Sequence, residues 1–180
     1  MSETARHFRI RKAAMNDIAP ILKLINGFAA KGIMLPRTEF EMAENIRDFM
    51  VVFEGWQLAG CAALHFYSAK TAEIRSLAVD PEYQKHGLGA MLVTALEQEA
   101  ITFDLHAVFA FTYVPGFFGR MGYRQVERGD LPLKAWKDCL RCPKFQCCDE
   151  IAMLKPLVID YQPADERPTS DLVRLPVVSL

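Results

Sequence analysis

The stretch AEIRSLAVDPEYQKHGLGA, from Ala72 to Ala90, decides the fold of this chain. Residues 72–79 are mostly apolar or β-branched and predict a strand. That strand ends at Asp80-Pro81, because proline has no N–H to donate to a ladder and also restricts the residue before it. From Gly89 onward the apolar residues recur with helical spacing. A strand, a glycine-containing loop and the start of a helix are therefore predicted in direct succession.

The loop of this stretch has the features of an anion site. The N-terminus of a helix has N–H groups without intrahelical partners and a partial positive charge, so it can hold a phosphate or a pyrophosphate. Gly87 and Gly89 let the backbone approach such an anion closely and adopt positive φ. Two glycines also fit a helix that begins with a tight turn. The spacing matches neither the dinucleotide-binding G-x-G-x-x-G nor a P-loop.

The six residues from Gln84 to Gly89 fit [QR]-x-x-G-x-[GA], and this segment resembles the acyl-coenzyme A pyrophosphate signature of the GNAT superfamily of N-acetyltransferases. The preceding strand and its Val-x-Pro-x-Tyr exit resemble the fourth strand of that family. The resemblance implies acetyl-CoA as co-substrate. It also implies that the fourth and fifth strands splay apart around the pantetheine arm. The coenzyme-binding residues that it implies are Leu77, Ala78, Val79, Gln84, Lys85, His86, Gly87, Leu88, Gly89 and Ala90.

The order of predicted elements gives an α+β fold with a mixed, mostly antiparallel central sheet flanked by helices. A strand over 7–12, two helices and three antiparallel strands lead to the long helix. A strand over 106–112, a short helix from Pro115 and a strand over 123–126 follow, and 150–154 is predicted as a last edge strand. We expect one domain over 8–155 and a loosely attached, proline-containing tail over 156–180.

Composition excludes several classes of protein. The chain has 180 residues, 51% of them hydrophobic, which is enough for one substantial core. The formal charge of −1 does not indicate a nucleic-acid binder. Neither a signal-peptide h-region nor an apolar run of membrane-spanning length is present. Five cysteines without a disulfide framework favour a reducing compartment, so we expect a cytoplasmic protein. The sequence leaves open whether it forms a homodimer.

A closer resemblance covers roughly residues 8–155. The segments GIMLPRT, GCAALH, AEIRSLAVDPEYQ, FAFTYVPGFF and LPLKAWKDCLRCPKF look like those of short, single-domain N-acetylglutamate synthases. Glutamate brings two carboxylates, and guanidinium groups suit their geometry best. Arg37 matches the arginine that this family places against its substrate, and Arg75, Lys137 and Arg141 are further candidates. Each could also be an ordinary solvated cation.

Catalysis of this kind needs a base for the attacking amine and an acid for the departing thiolate. Glu73 is the candidate base, because it stands where related acetyltransferases have their general-base glutamate, although it could instead pair with Arg75. Many GNAT enzymes have a tyrosine acid in Phe-Tyr-x-x-x-Gly-Phe, but here Phe118 takes that place. Tyr113 or a water is then left as the acid, and Tyr123 is predicted to lie in the core.

Four cysteines, Cys139, Cys142, Cys147 and Cys148, have a spacing that resembles a metal site. Adjacent cysteines seldom both bind one ion, and no nearby histidine completes a tetrahedral set, so we predict no metal here. A redox-active C-x-x-C is the other reading of this loop.

The sequence therefore predicts a transferase that moves acetyl from acetyl-CoA to the α-amine of L-glutamate, the entry to arginine synthesis. Two alternatives stay open at this point: a GNAT enzyme acting on another amino-acid, peptide or protein amine, and a coenzyme A-binding sensor without catalysis.

Overall fold

The computed structural model describes residues 6–131 and 148–162. Within them one sheet has seven strands, which are β1 Phe8–Lys12, β2 Phe49–Glu54, β3 Gln57–Phe66, β4 Thr71–Val79, β5 Ala107–Thr112, β6 Arg124–Gln125 and β7 Ile151–Pro156. Their order across the sheet is β1-β2-β3-β4-β5-β7-β6. Neighbouring strands run antiparallel except β4 and β5, which run parallel. The predicted α+β class with a mixed, mostly antiparallel sheet is confirmed.

Helices cover both faces of this sheet. They are α1 Ile18–Ala29, α2 Glu39–Asn45, α3 Leu88–Thr102 and α4 Pro115–Arg120. Side chains of α3 pack with one set of sheet residues, and those of α1 and α2 pack with the alternate set. A third apolar cluster, formed mainly by β5 and β7, lies beside the α1/α2 core. The sheet is therefore the middle layer, as alternating apolar side chains on its central strands require.

A capping box forms the start of α2. Thr38 accepts a hydrogen bond from the N–H of Glu41 at 3.2 Å, and the Glu41 carboxylate accepts from the N–H of Thr38 at 2.9 Å. This reciprocal capping box fixes where the helix begins. It also fixes the residue before it, Arg37, at the end of the α1–α2 connection.

At the start of α1, the side chain of Asp17 does not act as a helix cap. Asp17 lies in a short 3₁₀ turn, Met15–Asp17, and makes no cap bond to α1. Its carboxylate instead accepts from the Ala14 N–H at 2.7 Å and from the Arg11 guanidinium at 2.6 and 2.9 Å. The hydrogen bond from Arg11 is the main cause that lowers the pKa of Asp17. The Asp17 carboxylate is therefore used in an ion pair with Arg11 of β1 and does not cap α1.

The last strand was predicted at an edge of the sheet, and that placement is wrong. β7 lies between β5 and β6 and pairs with β5 along all of Ile151–Pro156. Its weak alternation has a physical cause, because both of its faces are covered: Ala152 and Leu154 join the third cluster, and Met153 joins the α3 core. Beyond the predicted domain boundary, Tyr161 is also buried in the third cluster.

Candidate active site

The turn between β4 and α3 forms the first part of the site. Gln84 Nε2 donates to the carbonyl of Val79 at 3.3 Å, which holds the exposed loop against the end of the strand. Gly87 is the N-cap of α3, with φ 77°. The first helical hydrogen bond runs from the Met91 N–H to the Gly87 carbonyl, so the N–H groups of residues 88–90 have no intrahelical acceptor. This end of the helix can hold phosphate oxygens.

Backbone strain is concentrated near this turn. Among the described residues other than glycine, positive φ occurs at Ser76 (53°), Lys85 (68°) and Asp104 (56°). The first two lie in β4 and in the loop after it. Such conformations cost roughly 1–3 kcal/mol each and persist where the surrounding structure imposes them. The surrounding structure therefore holds the backbone of this loop, and with it the N–H groups, in one conformation.

The two glycines of the loop differ in what surrounds them. A Cβ at Gly87 would meet no atom within 4 Å, whereas a Cβ at Gly89 would lie 3.4 Å from the Phe117 ring of α4. A side chain at Gly89 would thus make an ordinary van der Waals contact with α4, whereas Gly87 serves the left-handed turn. Of the other predicted coenzyme residues, Lys85 and His86 are exposed, Leu88 has its side chain in the core, and Ala90 is partly buried.

The second part of the site is the point where β4 and β5 separate. The two strands pair at three positions, the last being Glu73 opposite Phe109, although both strands continue beyond it. β4 also bulges there, because Ser76 and Leu77 together oppose a single residue of β3. Ala78 and Val79 then pair with β3 but not with β5. Backbone groups beyond Glu73 are therefore available on the β5 side, as an extended amide-containing arm requires.

Glu73 lies at this fork and is buried, with 9% of its surface exposed. The hydroxyl of Tyr67 donates to Glu73 Oε2 at 2.9 Å. His65 is the residue opposite Glu73 on β3, and its Nδ1 is 2.8 Å from Asp48 Oδ2. A carboxylate in such surroundings can exchange a proton with a bound amine, provided that the amine reaches the fork.

Two of the predicted substrate cations share the face of Glu73. Arg75 lies two residues further along β4 and opposite Ala63, which belongs to the α1/α2 core. Arg37 is half-buried in the connection between α1 and α2, the helices that cover this face. The Asn26 side chain fixes the Arg37 backbone twice, by accepting from its N–H at 2.9 Å and donating to its carbonyl at 3.0 Å.

The candidate acids differ in exposure. Phe118 is buried and packs edge-on between the rings of Phe117 and Tyr123 at centroid distances of 5.1 Å, so α4 supplies no acid there. Tyr123 is in the core as predicted. The pKa of its hydroxyl is raised, mainly by burial and next by the nearby Glu97 carboxylate. Tyr113 directly follows β5 and is 40% exposed, within reach of a ligand or solvent.

Several predicted residues lie outside the described part of the chain, namely Lys137, Arg141, Cys139, Cys142 and Cys147. Cys148 is described, with its Sγ 3.9 Å from Glu150 Oε2. Over 6–131 and 148–162, no group of three or more metal-ligating side chains occurs. Over the same ranges, no helix has the length and apolar character needed to cross a membrane.

Comparison with known proteins identifies the family of proteins to which this site belongs. The model of the acetyltransferase (GNAT) family matches residues 23–123, which include the fork, the loop and α4. The chain belongs to the GNAT family. An uncharacterised N-acetyltransferase of Chlorobaculum tepidum is 44% identical to this GNAT chain over 148 residues, which are 82% of this chain and 96% of that relative.

Two further relatives extend the comparison. An amino-acid acetyltransferase of Mycobacterium tuberculosis is 33% identical over 132 residues, 71% of this chain and 75% of the relative. The structure of the N-acetylglutamate synthase of Neisseria gonorrhoeae complexed with coenzyme A and N-acetyl-glutamate superposes with a TM-score of 0.78 at 26% identity. That match covers 85% of this chain and 36% of the synthase. This GNAT protein is an acetyl-CoA-dependent N-acetyltransferase, and the predictions of the fold and of acetyl-CoA as co-substrate are confirmed.

Two residues of the site were missed from the sequence. Tyr67 follows the end of β3, and its contact with Glu73 depends on the β3–β4 connection. Asn26 is one polar residue in an apolar helix, and only the folded connection brings its amide to Arg37. Neither belongs to the motifs that identified the other site residues.

Proposed function

We propose that this acetyltransferase acts on an amino acid and that its acceptor is the α-amine of L-glutamate. The observation on which the transfer chemistry rests is the buried Glu73 carboxylate at the fork of β4 and β5. The choice of glutamate rests on the half-buried Arg37 above the same face, together with the similarity to amino-acid acetyltransferases and to N-acetylglutamate synthase.

In this proposal acetyl-CoA extends from the loop at the start of α3 to the fork between β4 and β5. The N–H groups at the start of α3 hold the pyrophosphate, with Gln84, Lys85 and His86 beside it. The pantetheine arm lies in the gap between β4 and β5, against Leu77, Ala78 and Val79. Its thioester end would then approach the fork, where Glu73 lies.

The acetyl transfer itself needs three proton movements, two from the nitrogen and one to the sulfur. Glu73 accepts a proton from the ammonium group of the acceptor, and the freed nitrogen lone pair attacks the thioester carbonyl carbon. The carbon–sulfur bond breaks, the nitrogen loses its second proton to solvent as the amide forms, and the coenzyme leaves as a thiolate. Tyr113 or a water supplies the proton to that sulfur, because Phe118 has none to give.

The proposed acceptor site uses cations for the two carboxylates of glutamate. Arg37 binds one of them, and Arg75, on the same face as Glu73, is the candidate for the other. Lys137 and Arg141 stay predictions, as do the cytoplasmic location and the arginine-synthesis role. A guanidinium held by a fixed backbone loses less entropy on binding than one on a mobile loop.

The acceptor can be identified by a thiol-release assay with acetyl-CoA across single amino acids, short peptides and lysine derivatives. We expect glutamate to give the highest kcat/KM and the product to be N-acetylglutamate by mass spectrometry. A peptide or another amino acid with a higher kcat/KM would replace glutamate as the acceptor. No turnover with any amine, combined with tight coenzyme A binding, would favour a sensor.

The proposed pyrophosphate site predicts a specific effect of Gly87→Ala. Alanine is strained at φ 77°, so the turn should relax and move the N–H groups away from the anion. We expect coenzyme A affinity, measured by calorimetry, to fall by roughly tenfold or more, which is about 1.4 kcal/mol.

Gly55→Ala is the matched control for this experiment. Gly55 has φ 58° in the β2–β3 turn, and a Cβ there also meets no atom within 4 Å. Both variants should lose comparable thermal stability, and Gly55→Ala should keep its coenzyme A affinity. Equal affinities in the two variants would assign Gly87 to the fold alone.

A further inference from the structure

The Tyr67 hydroxyl donates a hydrogen bond to Glu73 Oε2 at 2.9 Å, a contact that the proposed proton transfers do not use. Both side chains are buried, and each is fixed by its surroundings. The Tyr67 ring packs edge-on against His65 at 5.0 Å and tilted against Phe109 at 5.7 Å. Phe109 is the last β5 residue that pairs with β4, and it does so opposite Glu73. The Tyr67 ring thus lies at the fork and contacts residues of β3 and β5, the strands on either side of Glu73.

From this geometry we infer that Tyr67 is a positioning residue for the proton acceptor Glu73, an inference that rests on the proposed function. A hydroxyl that donates to one carboxylate oxygen restricts the rotation of the whole carboxylate. It also favours the ionised form, which is the form that can accept a proton from the substrate ammonium. Tyr67 therefore fixes the orientation of the Glu73 carboxylate and favours its ionised form, without contacting the substrate.

Other charged and titratable groups near the Glu73 carboxylate also influence its protonation. On β4, Arg75 shares the face of Glu73, and on β3, His65 lies opposite it with Asp48 behind. From β5 the neighbour is the apolar Phe109. From the segment after β7, Tyr161 is buried in the same cluster as Tyr67. Burial disfavours the charged carboxylate, so a donated hydrogen bond has a larger effect here than it would in water.

The variant Tyr67→Phe removes the hydroxyl and keeps the ring. Without the donor the Glu73 carboxylate is easier to protonate, so the acid limb of the kcat–pH profile should move to higher pH by about one unit. At a pH on that limb, kcat should fall by about tenfold, and the KM for acetyl-CoA should stay the same. The ionisation of the substrate amine is common to both proteins, so it cancels in the comparison with wild type.

Tyr123→Phe is the matched control. Tyr123 is also a buried tyrosine, but it lies in the α3 core on the opposite face of the sheet, and the carboxylate that influences its hydroxyl is Glu97 of that core. Its kcat–pH profile should coincide with that of wild type. If Tyr67→Phe gives the same profile as Tyr123→Phe, the positioning role is wrong.

A double-mutant cycle separates this inference from the proposed base itself. If Tyr67 acts through Glu73, adding Tyr67→Phe to Glu73→Gln should change kcat by less than twofold. A further tenfold loss in that background would show that Tyr67 acts independently, which overturns the inference and leaves Glu73 as the base. Normal turnover in Glu73→Gln alone would overturn the base and, with it, the role of Tyr67. Melting temperatures of all variants show whether each has folded.

Discussion

Replacing Glu73 with glutamine should lower kcat by about 10²–10⁴ while leaving the affinity for acetyl-CoA unchanged. The amide keeps the shape of the side chain, and its oxygen can still accept the hydrogen bond from Tyr67, so the fork should remain intact. What is lost is the ability to take the proton of the acceptor ammonium. Initial rates of thiol release, with coenzyme A affinity measured separately by calorimetry, give the two quantities.

The pH dependence adds an independent readout for Glu73. In wild type, kcat should fall as the pH drops through the range where the carboxylate becomes protonated, because only the ionised form is a base. That limb should be missing from the small residual rate of Glu73→Gln.

Glu97→Gln is a useful control for the loss of a buried carboxylate. Glu97 is buried in α3, and Lys155 Nζ lies 2.7 Å from its Oε2. Breaking this pair should lower stability but leave kcat close to wild type. Turnover of Glu73→Gln within a factor of two of wild type would make Glu73 a structural residue.

Much of the fold could be predicted because its signals are local. Asp80-Pro81 ends β4, Thr38 and Glu41 cap α2, and the loop at Gly87 begins α3, each through residues close in sequence. The position of β7 could not be predicted in this way. Insertion between β5 and β6 is a pairing between distant segments, and the two covered faces of β7 remove the alternation that would have distinguished an inner strand from an edge.

The candidate site shows the same division. Glu73 and the coenzyme loop could be predicted as candidates because they lie in one continuous motif. The Tyr67 hydroxyl and the Asn26 amide reach their partners through the folding of the β3–β4 and α1–α2 connections, and a polar side chain gives no sequence signal of which distant atom it will contact. The missing acid was visible in sequence, and the structure adds that Phe118 is packed between two rings.

Arg37→Ala should raise the KM for glutamate far more than the KM for acetyl-CoA. Removing one partner of a buried charge pair typically costs about 2–5 kcal/mol, so kcat/KM for glutamate should fall well over tenfold. Arg37→Lys should recover little, since an ammonium cannot form two parallel hydrogen bonds to a carboxylate. Lys31→Ala, which removes an exposed cation near the end of α1, controls for the change in net charge and should leave both KM values as they are.

Asn26 gives a second way to test the same cation without altering it. Its amide makes both hydrogen bonds to the Arg37 backbone, so Asn26→Ala should loosen the connection and raise the glutamate KM by a smaller factor than Arg37→Ala. In the Arg37→Ala background, Asn26→Ala should add little, because the positioned group is already gone. A large additional loss there would show that Asn26 stabilises the fold more than it positions the arginine.

The choice of carboxylate that Arg37 binds follows from comparing glutamate with glutamine as acceptors. If Arg37 binds the side-chain carboxylate, wild type should acetylate glutamine poorly, and the gap between the two acceptors should narrow in Arg37→Ala. If Arg37 binds the α-carboxylate, which both acceptors share, their kcat/KM values should fall together. An unchanged glutamate KM in Arg37→Ala, with Lys31→Ala behaving alike, would show that Arg37 is an ordinary surface cation. The acceptor carboxylates would then have to be bound by other cations, with Arg75 the first to test.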